Sequence, residues 1–434
     1  MTWRVNSLLS LILVSGTVYS QDSLSLQDVV SATLKSNYDL KIQSLVVEQT
    51  GNLSTKGQAG YFPSVSFNGS GSYSRNNTKL EFAGGLPTVE RDGAENTSVG
   101  ANVGLNYILF NGFGRISTYK NLQNQYQLSL LQSRLVTENS VMESISSVLQ
   151  IQQLYIQIEL AQENIEISKE RLEYSIYRKE SGVGNSIEVN AAQVDLGTDS
   201  LALIQLETSL KKELNLLKLL LGVDMDTQLK IKNEIPVPVL GSAEELGESV
   251  KSNTQILISQ LNELVALENT KFANSRRLPV LGMNINYGYN SSQNGAGIIL
   301  SQQTDGFSGS ASLSIPIFNG LQLATAIKNA QIQEQIAGIS NQYTELQIQQ
   351  LLNDAILDQS LLEESILLQE KREKLATLNV SRSLEAFKNG QLRFTEVREN
   401  QLNLLQSRMA INQSRLSLVL LRYQILRLTG KLLN

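Results

Sequence analysis

The chain has no cysteine and no histidine. Those absences remove thiol nucleophiles, Ser-His-Asp triads, imidazole bases and the commonest soft-metal ligands. No cofactor or metal is expected, and only carboxylate pairs remain for acid–base chemistry. With no thiol to carry a lipid, membrane attachment is expected to come from the fold. Proline is scarce, six in 434 residues, which suits long uninterrupted helices. Charge is sparse as well: 18% of residues are charged and the net charge is -5, so no nucleic-acid partner is expected. Beyond the first twenty residues no apolar run approaches the roughly 20 residues of a membrane helix.

Residues 1–20 read as an export signal. Arg4 supplies the positive start, Leu8 to Val14 the short apolar core, and Val18-Tyr19-Ser20 the site before Gln21. A buried N-terminal helix is the other reading. An exported chain without an apolar helix is either soluble or a β-barrel.

What the chain does have, it has twice. Tyr107-Ile108-Leu109-Phe110-Asn111-Gly112 ends one alternating run, and Ile315-Pro316-Ile317-Phe318-Asn319-Gly320 ends another. The offset, 318 less 110, is 208 residues. It then holds without a gap: Lys120-Asn121 answers Lys328-Asn329, Gly182 answers Gly390, Glu188-Val189 answers Glu396-Val397, Gln193 answers Gln401, and Gly222 answers Gly430. About 110 residues in register indicate a tandem duplication. Repeat one spans 21–222, a connector 223–241 contains Pro236 and Pro238, and repeat two spans 242–434.

Each repeat opens with helical periodicity. In the first, Leu26, Val29, Val30, Thr33 and Leu34 share a face, and Asn37 marks a break. At Pro63 the period changes to two. Val65, Phe67, Gly69, Gly71 and Tyr73 alternate with a wholly polar set, predicting a strand over 63–74. Residues 75–96, with Gly84-Gly85 and Pro87, are expected to be a loop, and the second strand covers 98–110. Repeat two predicts strands at 279–290 and 306–318. Polar residues on one face and apolar ones on the other fit a soluble sheet. They equally fit a transmembrane barrel, with its apolar face to lipid and its polar face to a wet lumen. Strands of roughly 11 residues and aromatics near their ends (Tyr61, Phe62, Phe110, Tyr287, Phe318) suit the second case.

Each strand pair leads into a helical hairpin, 113–221 with its tip near Gly182 and 320–430 with its tip near Gly390. Arms from about Phe113 to Glu180 would be rods of about 100 Å, with a narrow apolar seam. Ser186 is the expected N-cap of the returning arm. Four strands cannot close a barrel, and lipid leaves an open edge unsatisfied at several kcal/mol per group. Closure therefore requires several chains: two would give eight strands, three twelve.

In order and duplicated, these features resemble the TolC family of outer-membrane efflux proteins. The carriers are Leu24-Ser-Leu-Gln-Asp-Val-Val-Ser-Ala-Thr-Leu-Lys-Ser-Asn, Tyr61-Phe62-Pro63, Leu278-Pro279 and Phe-Asn-Gly at 110 and 318. To these are added the tips Gly182-Val-Gly-Asn-Ser-Ile-Glu188-Val and Gly390-Gln-Leu-Arg-Phe-Thr-Glu396-Val. The resemblance implies a mainly α fold with a membrane β-barrel. Long antiparallel hairpins would form an α-barrel tunnel continuous with a 12-stranded β-barrel shared by a homotrimer, four strands per chain. It further implies a passive channel in the outer membrane of the cell, extending into the periplasm. The channel would dock to a periplasmic adaptor protein and an inner-membrane pump, for efflux or type I secretion.

The resemblance also assigns residues. Glu396 and Glu399 would ring the periplasmic gate, three apart on one helix face. Glu188 would latch the closed state with Arg393, near Phe387, and Gly182, Val183, Gly390 and Gln391 would touch the adaptor. The rivals are a periplasmic coiled-coil adaptor or scaffold without a barrel, and a carboxylate hydrolase using Glu396 and Glu399.

Overall fold

The computed structural model describes residues 23–84, 87–234 and 236–433. The expected export signal lies outside them. Helix α1 (Leu26–Ser36) starts where Ser25 and Asp28 cap each other: the Asp28 N–H donates to Ser25 Oγ at 3.3 Å, and the Ser25 N–H donates to Asp28 Oδ2 at 2.9 Å. Asn37 ends it and begins α2 (Tyr38–Leu53). Its Nδ2 donates to the Leu220 carbonyl, and its Oδ1 accepts from the Asp39 N–H.

Strands β1 (Ser64–Leu80), β2 (Val89–Asn111), β3 (Val280–Asn294) and β4 (Ser301–Ser314) make one antiparallel sheet in the order β1-β2-β3-β4. The register puts Phe67, Val103, Tyr287 and Phe307 in one row and Asn68, Asn102, Gly288 and Gly306 in the next. One face is thus apolar and the other is Ser, Asn and Gly. Both the β1 and β4 edges lack a neighbour among the described residues.

The strands differ from expectation at their ends. Residues 75–96 are mostly hairpin, not loop. Arg75 faces Glu95, the Lys79 ammonium lies 3.2 Å from Glu90, and a bulge near Asn77 is tied by the Gly93 N–H. Charged residues face each other across this part, so it carries no apolar alternation. β4 runs 301–314 and stops short of Pro316, which has no N–H to offer.

Helices α3 (Gly114–Glu180) and α4 (Ser186–Leu221) form the first hairpin. After α5 (Ala243–Ser249) and α6 (Thr254–Ser275), α7 (Gln322–Lys388) and α8 (Phe394–Leu428) form the second. At 67 residues each, α3 and α7 are about 100 Å long.

Two compact units arise, and each draws on both repeats. One comprises the chain up to Lys41, Thr137–Glu245 and the chain from Leu352; the other comprises Ile42–Val136 and Leu246–Leu351. The duplication is a unit of sequence, not of compaction. The first unit packs Val29, Val141, Ile145, Leu217, Leu221 and Val419 together. Small hydroxyls interrupt that seam: Ser144 Oγ and Thr33 Oγ1 meet at 2.8 Å in the interior. The connector joins this unit through a parallel bridge of Leu24 with Ile231, and Gln152 donates to the carbonyls of Lys232 and Glu234.

The second unit holds the sheet and its two exits into helix. In both, glycine and the next residue are left-handed: Gly112 (φ 63) with Phe113 (φ 67), and Gly320 (φ 65) with Leu321 (φ 67). At Gly112 a Cβ would lie 2.3 Å from the Ser275 carbonyl, so only glycine fits. At Phe113 and Leu321 the same backbone costs a side-chain-bearing residue roughly 1–2 kcal/mol.

Candidate gating site at the helix tips

Both hairpins turn by the same device. The Gly182 N–H donates to the Lys179 carbonyl and the Val183 N–H to that of Arg178. Likewise the Gly390 N–H donates to Phe387 and the Gln391 N–H to Ala386. These are paired Schellman ends, with the glycine left-handed at φ 76 and φ 71. Gly222 and Gly430 close the returning arms in the same manner. All four residues expected to touch an adaptor therefore have a turn role, and Val183 also projects an exposed side chain.

The returning helices start differently. Asn185, not Ser186, caps α4: its Oδ1 accepts from the Glu188 N–H at 2.9 Å. Ser186 is the first helical residue. At α8 the Glu396 carboxylate turns back to accept from the Arg393 N–H at 3.0 Å. Glu396 thus satisfies an orphan donor at its own helix start while remaining exposed. Glu399 is exposed and makes no ion pair within 4 Å among the described residues.

The expected Glu188–Arg393 latch is not formed within the chain. Glu188 Oε2 instead lies 3.8 Å from Arg178 Nε, because α3 and α4 are antiparallel and place Arg178 beside the first turn of α4. Phe387 is buried between Tyr174 (5.3 Å) and Phe394 (6.3 Å), with the Arg178 guanidinium 5.7 Å over its ring. The Tyr174 hydroxyl donates to the Lys388 carbonyl. Arg178, Glu188, Phe387, Gly390, Gln391, Arg393 and Glu396 share one groove of about 950 Å³. Gly182, Val183 and Glu399 lie outside it.

Above this groove is a cluster that sequence reasoning missed. Arg171 NH2 lies 2.7 Å from Asp195 Oδ2, and NH1 donates to Gln401 Oε1 at 3.2 Å. Arg398 meets Asp199 with two parallel bonds of 2.8 and 3.0 Å. Ser168 Oγ adds a bond to Asp199 at 2.7 Å, and Gln401 Nε2 donates to Asn164. Arg171 also lies 4.7 Å over the Phe394 ring. Its side chain is 1% exposed, and burial pulls the guanidinium below its ordinary pKa while Asp195 opposes that shift. Two cations and two carboxylates thus join α3, α4 and α8 in a neutral joint. The sequence traces were Asp195 and Asp199, four apart on a Leu-rich helix, and Gln401, which answers Gln193 in the repeat.

The carboxylates at the tips are a cap (Glu396), an ion-pair partner (Glu188) and a solvated group (Glu399). No group of residues suited to a metal occurs among the described residues.

The fold is that of solved outer-membrane channels. The Campylobacter jejuni CmeC channel aligns at TM-score 0.78 and 17% identity, covering 94% of this chain and 86% of that one. Vibrio cholerae VceC aligns at 0.75 and 15%, covering 93% and 96%. The open state of Neisseria gonorrhoeae MtrE aligns at 0.68 and 14%, covering 94% and 89%. A search of curated protein sequences returns no significant match. The family model described as outer membrane efflux protein matches residues 29–223, essentially the whole of the first repeat. The chain thus has the fold of outer-membrane channels, and its first repeat is similar to the outer membrane efflux protein family.

Proposed function

We propose that the protein is the passive exit duct of a tripartite efflux or type I secretion assembly, gated at its helix tips. Channels of the family are trimers that work with an adaptor and an inner-membrane pump. The observation that carries the reading is the sheet: four strands, an apolar outer face, and two unpaired edges. Those edges call for sister chains in lipid, since each unpaired group there costs several kcal/mol. Exposed leucines along α7 (Leu357, Leu361, Leu368, Leu375) want the same neighbours.

The cargo moves by the pump's work, and the duct only opens and closes. Opening is a shift between two packings of the hairpins near the groove. Three copies each of Glu396 and Glu399 line the closed mouth with negative charge and favour cations. In the closed state Glu188 exchanges its Arg178 partner, 3.8 Å away, for Arg393. The test is the double variant Glu396→Gln with Glu399→Gln in planar bilayers. Conductance should change and cation preference should fall; unchanged conductance and selectivity would remove the gate assignment.

A further inference from the structure

Phe113 and Leu321 are the two non-glycine residues with positive φ among the described residues. They stand 208 apart, at the same place in the two repeats. Each follows a left-handed glycine, and each exposes its bulk to solvent, by 61% and 67%. Burial within one chain does not account for a strained backbone that presents an apolar side chain outward. The two copies have diverged in identity, Phe against Leu, yet both kept size and hydrophobicity. A fold that needed only the turn would accept glycine at either position, with no strain.

The strands show where Phe113 leads. A bulge at Leu109 shifts the register, so Phe110 faces Leu281 on the apolar side of the sheet. The Phe113 ring packs edge-on against Phe110 with centroids 5.1 Å apart, and so continues that face past the last strand pair. Arg115 braces the junction: its guanidinium lies over the rings of Tyr61 (5.4 Å) and Tyr107 (5.5 Å) and donates to the Ile108 carbonyl. At the second exit Ile317 and Phe318 are exposed beside Leu321.

We propose that Phe113 and Leu321 are lipid anchors. The strained turns hold them against the acyl chains at the periplasmic rim of the barrel, where they fix its depth. The proposal rests on the channel reading, because the occupant is the lipid that would surround the sheet.

Single-tryptophan reporters test it. The sequence has one Trp, Trp3, so Trp3→Phe clears the background. Phe113→Trp, Leu321→Trp, the strand control Tyr287→Trp and the tip control Val183→Trp are reconstituted in phosphatidylcholine vesicles containing brominated phosphatidylcholine. Positions 113 and 321 should emit to the blue of Val183→Trp and be quenched more by shallow than by deep bromine. Tyr287→Trp should be quenched and Val183→Trp should not. If Tyr287→Trp is quenched and 113 and 321 are not, the anchors are refuted. Red emission would then mean water, and blue emission a neighbouring chain. If Tyr287→Trp also escapes quenching, the sheet is not in lipid and the channel reading falls with the proposal. Should one reporter misfold, Phe113→Ser with Leu321→Ser offers a second readout. The fraction floating with vesicles should drop severalfold with sheet content intact; undiminished flotation would overturn the proposal.

Discussion

The Arg398–Asp199 pair is the residue-scale feature with the most at stake. Its side chains are 13% and 8% exposed, and the geometry is bidentate. Removing one partner leaves a charge in the interior, at about 3 kcal/mol, whereas replacing both with apolar residues of similar size costs far less. Hydrogen exchange over residues 394–404 should show about that loss for Asp199→Leu or Arg398→Met alone and a much smaller one for the double variant. Additive losses would mean that the pair is not coupled. The pair was hidden in the sequence because its members lie 199 positions apart on separate hairpins. The turn glycines were plain, since a helix ending in two reversed hydrogen bonds needs a left-handed residue and glycine supplies it without strain. Val183 is a tip residue whose turn role uses only its backbone and whose side chain is exposed. Val183→Asp should therefore abolish adaptor-dependent export while bilayer conductance stays unchanged. Unimpaired export would clear this tip of adaptor contact.

At the scale of elements, α7 and α8 are held in register by a ladder of ion pairs. Arg408 reaches Glu373, Arg415 reaches Glu370, and Arg422 reaches Glu363, while Arg408 also meets Glu163 on α3. The arginines recur every seven residues, the period of an antiparallel coiled coil. Exposed pairs contribute little, about 0.5 kcal/mol each, so the ladder sets register more than stability. The Gln359 side chain, and then Arg422, hold the Glu363 carboxyl below its ordinary value of 4.5. A depressed carboxyl stabilises the fold above its unfolded value, and that contribution is lost as pH falls through the folded one. Wild type should therefore resist thermal unfolding slightly better than Glu363→Gln above pH 4.5, with the difference vanishing in stronger acid; a gap persisting there would reject the linkage. The apolar parts of the strands could be read from alternation at Val65, Phe67, Leu281 and Met283. The hairpin over 75–96 could not, because its cross-strand neighbours, Arg75 opposite Glu95 and Lys79 paired with Glu90, look like loop composition.

At the scale of the whole molecule the duplication was the plainest signal. It accounts for two hairpins with identical turns and for the 67-residue length of both α3 and α7. It did not foretell the compact units, which cut each repeat and recombine the halves, because contacts follow packing and not ancestry. On the channel reading the fold leaves one problem that a single chain cannot solve, two edge strands with unpaired backbone in a sheet that faces lipid. The most direct measurement is the mass of the purified protein in mild detergent, by light scattering or native mass spectrometry, with sheet content followed by circular dichroism. The account predicts three chains per particle. A monomer that keeps its sheet would contradict it.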